Sequence, residues 1–144
     1  MRISSKGEYG LRALFDLAQH YGEGPIQSQD IHRRQGIDEN YLNQILISLR
    51  KAGLIESIRG PQGGHRLARP PVEITVLEAV TALEGPLFPT DSSTSAATSA
   101  VDREIVRDVW CEMRQVLESY LGHLTLEDLC QRKRQRTGAI MYHI

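Results

Sequence analysis

A mainly α-helical chain with a small β-hairpin wing is the fold class the sequence predicts: a winged helix-turn-helix followed by a long C-terminal dimerisation helix. Three observations predict it. Apolar residues recur at helical spacing in separate segments before residue 86. A Gly/Pro-rich tip, Gly60-Pro61-Gln62-Gly63-Gly64, separates two short extended segments. Further on, a long stripe of apolar residues has nothing in so small a domain to cover it.

The first helix is expected over Glu8 to Tyr21, where Leu11, Leu14, Phe15, Leu17 and Ala18 share a face and Gly22 supplies a stop. Gly24-Pro25 is a turn. A second helix of about two turns starts at Ser28 as N-cap, runs through Ile31 to Arg34 and ends before Gly36. Asp38 caps a third helix that runs to about Ala52, where Gly53 ends it. A short helix, a glycine turn and a longer helix form the order a helix-turn-helix requires.

In the third helix, Leu42, Ile45, Leu46 and Leu49 fall on one stripe and must face the core. Asn40, Gln44, Ile47 and Lys51 then point away from it, with Asn43 and Arg50 on one flank and Tyr41 and Ser48 on the other. Amides pair bidentately with adenine, and Arg50 or Lys51 suits phosphate or guanine. Asn40, Tyr41, Asn43, Gln44, Ser48, Arg50 and Lys51 are therefore the candidate groove contacts. Tyr41 is equally suited to a half-buried structural place.

Leu54 to Arg59 and His65 to Ala68 read as the two strands of a hairpin. Its candidate DNA contacts are Arg59, Gly60, Pro61, Gln62, Gly63, Gly64, His65 and Arg66. The glycines let the tip approach a surface closely, and Arg59 is the candidate for insertion into a narrow minor groove, where negative potential concentrates. Pro70-Pro71 closes the hairpin. A fourth helix over Thr75 to Glu84 buries Val76, Ala79, Val80 and Leu83 and stops at Gly85-Pro86.

Residues 90–100 are small and polar, so a flexible loop is expected over 87–101, between a DNA-binding unit (1–86) and a C-terminal unit (102–144). A long helix from Asp102 to Leu121 follows. Ile105, Val106, Val109, Trp110, Met113, Val116, Leu117, Tyr120 and Leu124 crowd one side of it, while Arg103, Arg107, Cys111, Arg114 and Glu118 lie opposite. A second copy of the same helix would cover that stripe, with Ile105, Val109, Met113, Val116, Leu117 and Tyr120 as the dimerisation residues. A two-fold dimer presents two recognition helices about 34 Å apart, or a multiple of that, and requires a palindromic site. Thr125 to Leu129 is expected to form a short helical turn, and the basic run Arg132 to Arg136 a solvated tail.

The charge distribution agrees with this reading. The net charge is −1, which by itself argues against an indiscriminate polyanion binder. Residues 1–70 carry ten Lys/Arg against seven Asp/Glu, while the remainder is net negative, so a polyanion partner belongs at the N-terminal end. No apolar run reaches the roughly 20 residues of a membrane span, and the beginning of the chain has no apolar stretch of signal-peptide kind. Two cysteines make no disulfide framework, so a reducing cytoplasm is expected. His20, His32, His65, His123 and His143 show no zinc spacing, and no nucleophile–base pair, phosphate loop or carboxylate dyad points to an enzyme. Cys111, between Arg107 and Arg114, is with Cys130 the candidate redox pair.

Several stretches resemble the Rrf-two family of bacterial regulators. They are Met1-Arg2-Ile3-Ser4, Tyr9-Gly10-Leu11-Arg12-Ala13-Leu14, Tyr41-Leu42-Asn43-Gln44-Ile45-Leu46 and Leu49-Arg50-Lys51-Ala52-Gly53-Leu54-Ile55. Most specific is Ser57-Ile58-Arg59-Gly60-Pro61-Gln62-Gly63-Gly64-His65-Arg66-Leu67-Ala68, joined by Glu84-Gly85-Pro86, Trp110 and Thr125 to Leu129. The resemblance implies a dimeric winged-helix transcription factor. Many members hold an iron–sulfur cluster with three cysteines before the long helix, but residues 85–104 contain no Cys, and Glu104 and Arg107 stand where such members place their last cysteine and a histidine. No cofactor is therefore expected, and the chain resembles the cluster-free CymR type, also in its end, Ile140-Met141-Tyr142-His143-Ile144. Relatives of that type couple DNA binding to a cysteine-biosynthesis enzyme, so a protein-interaction adaptor docking such a metabolic enzyme is the alternative to the DNA-binding regulator.

Overall fold

The computed structural model describes residues 2–86 and 100–142, the last four of these by backbone alone. Helix α1 (Ser5–Gln19) starts three residues before the expected Glu8. Ser4 caps it, accepting from the Gly7 amide at 3.2 Å, and its own hydroxyl donates to Glu84 at 2.5 Å. Gly7 and Gly10 weaken the helical pattern in sequence because glycine is a poor helix former. Their value is contact: a Cβ on Gly10 would sit 2.5 Å from the Leu83 side chain. Helix α2 (Ser28–Gln35) has Gln27 rather than Ser28 at its N-cap, without a side-chain cap, and ends at left-handed Gly36. Helix α3 (Glu39–Lys51) is capped by Asp38, as its sequence predicts.

Strands β1 (Ile55–Ile58) and β2 (Gly64–Leu67) pair antiparallel, with Ile55 opposite Leu67 and Glu56 opposite Arg66. Ile26 adds a short third edge by exchanging two backbone hydrogen bonds with His65, at 2.7 and 2.8 Å. A single 3₁₀ turn (Pro71–Glu73) leads to helix α4 (Val76–Glu84), capped by Thr75. Leu14, Leu17, Ile31, Ile37, Leu42, Ile45, Leu49 and Ile74 close the core between α1, α2, α3 and the wing.

Helix α5 (Ala100–Gly122) begins two residues earlier than expected, and residues 87–99 of the expected loop lie outside the described residues. Not one of its 23 residues is buried. The short turn expected at Thr125 is instead the start of a 17-residue helix, α6 (Leu126–Tyr142). The physical reason is a reciprocal cap: the Asp128 amide donates to the Thr125 hydroxyl at 3.1 Å, and the Thr125 amide donates to the Asp128 carboxylate at 2.9 Å. Leu126 and Cys130 enter the core and Leu129 packs on it, holding α6 against α1. The basic run is thus helical, not a tail, and Arg132, Lys133 and Arg136 edge a cleft floored by Leu11, Phe15 and Leu129. Among the described residues, no helix is long and apolar enough to cross a membrane.

Candidate nucleic-acid interface

Helix α3 turns Leu42, Ile45, Leu46 and Leu49 into the core, and this anchors the opposite face in solvent. Asn40, Asn43, Gln44, Arg50 and Lys51 are exposed, while Ser48 is half-buried at the margin. Tyr41 is half-buried, with its ring edge-on to Tyr9 of α1 at 6.0 Å between centroids. The Arg12 guanidinium stacks 5.3 Å from the centre of Tyr9 and donates to the Gln35 carbonyl, so α1 grips the turn that leads into α3.

The same turn is fastened from below by a group that sequence periodicity does not disclose. Asp16, on α1, is 1% exposed. Its carboxylate accepts from Arg34 Nε at 2.9 Å, Arg34 Nη2 at 2.8 Å and Gln35 Nε2 at 3.1 Å. This fork-on-fork pair satisfies the buried charge and raises the Arg34 pKa above its ordinary value, chiefly through the hydrogen bond to Asp16. It ties α2 to α1 and thereby fixes the angle at which α3 leaves the turn.

The wing stands beside the C-terminal end of α3. Arg59, Gly60, Pro61 and Gln62 are exposed at its tip, and Gly60 adopts φ +108°, which side-chain-bearing residues rarely do. Gly63 is buried: a Cβ there would lie 2.0 Å from the Ile58 carbonyl oxygen, so only glycine lets the tip close. Gly64 is half-buried against the Ile26 backbone. Among the described residues no acid forms an ion pair with Arg50, Lys51 or Arg59.

Two of the wing residues are engaged elsewhere. Arg66 is matched by Glu56 directly across the hairpin at 3.1 Å, so the wing is less positive than its arginines suggest. The strand register makes this pairing legible, since Ile55 and Leu67 both face inward. His65 is half-buried, and its Nδ1 lies 2.8 Å from the Ser57 hydroxyl. Burial first, and then the Arg50 charge, lower its pKa from the ordinary 6.5. In the pH range just below 6.5 the unfolded chain then binds the proton that folded His65 refuses, so stability falls as pH drops through 6.5. His65→Gln should flatten that part of a plot of urea midpoint against pH; an unchanged slope would place the titration elsewhere.

The candidate redox residues separate. Cys111 is half-buried on α5 with its sulfur 3.6 Å from an Arg114 nitrogen. Cys130 is buried against the core, and burial pushes its thiol above the ordinary range, which disfavours the reactive thiolate. Cys130 is therefore a packing residue.

Known proteins match this chain over most of its length. Residues 3–132 match the Rrf2 family, described as "Iron-dependent Transcriptional regulator". The chain is 38% identical to the HTH-type transcriptional regulator IscR of Xenorhabdus nematophila over 129 residues, covering 90% of this chain and 79% of that relative. It is 35% identical to the HTH-type transcriptional regulator CymR of Bacillus subtilis over 144 residues, all of both chains. The solved structure of CymR, the global cysteine regulator of B. subtilis, superposes with a TM-score of 0.77 at 36% identity, covering 92% of this chain and 98% of that one. These relatives are regulators, not enzymes, and their likeness extends through both the helix-turn-helix and the helices that follow it. The chain belongs to the Rrf2 family of winged-helix transcriptional regulators.

Proposed function

We propose that two copies of this chain join along α5 and bind a palindromic duplex operator in the cytoplasm, repressing transcription by occupying it, without an iron–sulfur cluster. The observation that carries the reading is the bare stripe on α5. Ile105, Val109, Trp110, Met113, Val116 and Tyr120 are all exposed, Val116 by 69%, and Leu117 is half-buried beside them. A contiguous apolar face of this length on a charged helix marks an interaction surface. A parallel use of both ends by two-fold symmetry turns one amide-and-cation helix into a pair.

In each protomer, α3 supplies Asn40, Asn43, Gln44, Ser48, Arg50 and Lys51 to the major groove, and the wing tip supplies Arg59 with Gly60, Pro61 and Gln62 to the flanking minor groove. Gly63, Gly64 and His65 shape the wing from within. The donor set supports a cluster-free state. An iron–sulfur cluster needs several thiolates drawn together, whereas this chain has two cysteines, and Cys130 is packed in the core.

Selection of bound sequences from a random DNA pool should enrich a palindrome. On that site Lys51→Ala should weaken all sequences about equally and lower the salt dependence by roughly two phosphate contacts per dimer. Arg59→Ala should instead relax the preference for A/T-rich flanks. A fluorescence-anisotropy salt titration separates the two; identical behaviour of the variants would contradict the roles given to them.

A further inference from the structure

We infer that Ile47 reads the 5-methyl group of a thymine in each half-site, an inference that rests on α3 lying in the major groove. Ile47 is 43% exposed, the one large apolar side chain that α3 leaves in solvent. The buried stripe of α3 is made by Leu42, Ile45, Leu46 and Leu49, and Ile47 is not part of the buried core. A singly exposed isoleucine is ordinary in itself; what sets Ile47 apart is its position among the polar groups of the α3 face.

Its surroundings define what it can touch. Asn43 and Gln44 stand one turn before it and Arg50 and Lys51 one turn after it, so it occupies the middle of the amide-and-cation face. The amides suit adenine and the cations suit phosphate or guanine, which leaves thymine without a reader. Thymine alone offers an apolar group in the major groove. Isoleucine is matched to that task, because its β-branched side chain is held in few rotamers and loses little freedom on contact. Three or four residues of helix advance roughly 4.5 to 6 Å, and one base pair advances about 3.4 Å. The thymine should therefore lie one or two pairs from the adenine read by Asn43 or Gln44.

The test uses the full chain and the palindrome enriched from the random pool. Each thymine is replaced in turn, in both half-sites, by deoxyuridine, which removes only the methyl group. Each adenine is replaced likewise by 7-deazaadenine, which removes one groove acceptor. At one thymine position the unaltered protein should lose about tenfold in affinity, two methyl contacts being removed. Ile47→Ala, an exposed substitution that leaves the fold intact, should bind both duplexes alike. One of Asn43→Ala and Gln44→Ala, whichever removes the adenine reader, should keep the uracil effect and lose the deazaadenine effect. Uracil without effect at every position, or an Ile47→Ala protein that still senses it, overturns the inference while a retained deazaadenine effect leaves α3 in the groove. Loss of both effects would remove α3 from the groove as well.

Discussion

Aspartates in place of Val109 and Val116 are expected to convert the protein from dimer to monomer and to weaken operator binding by about two orders of magnitude, since the second half-site then loses the effective concentration that tethering supplies. The size follows from the geometry of α5. Both valines lie exposed on its apolar stripe, at 50% and 69%. In a two-fold interface each substitution occurs twice, and each buried valine contributes roughly 1.5–3 kcal/mol while an unpaired buried carboxylate costs more. A rise of at least about a thousandfold in the dimer dissociation constant, equivalent to ~4 kcal/mol, is therefore expected. Because no residue of α5 is buried within one chain, the substituted protomer should still fold, at a thermal midpoint lowered by the dimerisation it has lost. Sedimentation equilibrium reads the mass and anisotropy reads the binding. A doubly substituted protein that remains dimeric would mean that another face joins the copies.

The second large effect is on stability. Asp16→Ala should cost about 2–4 kcal/mol, because removing one partner of a buried pair strands the other. Arg34 keeps a third of its side chain in solvent, which holds the figure below the upper end for such pairs. The opposite truncation should be worse in character: Arg34→Ala leaves Asp16, with 2% of its side chain exposed, as an uncompensated buried carboxylate. The double substitution should therefore cost clearly less than the two single losses added together. Urea unfolding of the four proteins closes this cycle, and strict additivity would show that the pair is not coupled.

The parts of the molecule legible in sequence are those with strong local periodicity or special backbone demands. The α3 stripe from Leu42 to Leu49 and the tip from Gly60 to Gly64 specify their own geometry, and with it the exposed candidates on α3 and the place of Arg59. Helix α6 was hidden because only Leu126, Leu129 and Cys130 carry its apolar face and five basic-run residues follow. The Thr125–Asp128 cap was the available sign. The start of α1 was masked by Gly7 and Gly10, whose packing against α4 is a tertiary matter. Asp16 looked like any acid on an amphipathic helix, since its partners are 18 and 19 residues away. Glu56 opposite Arg66 is absent from a charge count along the chain, which does not contain the strand register.

The most direct test is the mass of the purified complex on the enriched palindrome, measured by multi-angle light scattering at protein excess. Two 16.2 kDa chains on each duplex, with half-site centres a whole number of helical turns apart, are what paired recognition helices predict. A complex carrying a single chain on each duplex at protein excess would contradict it.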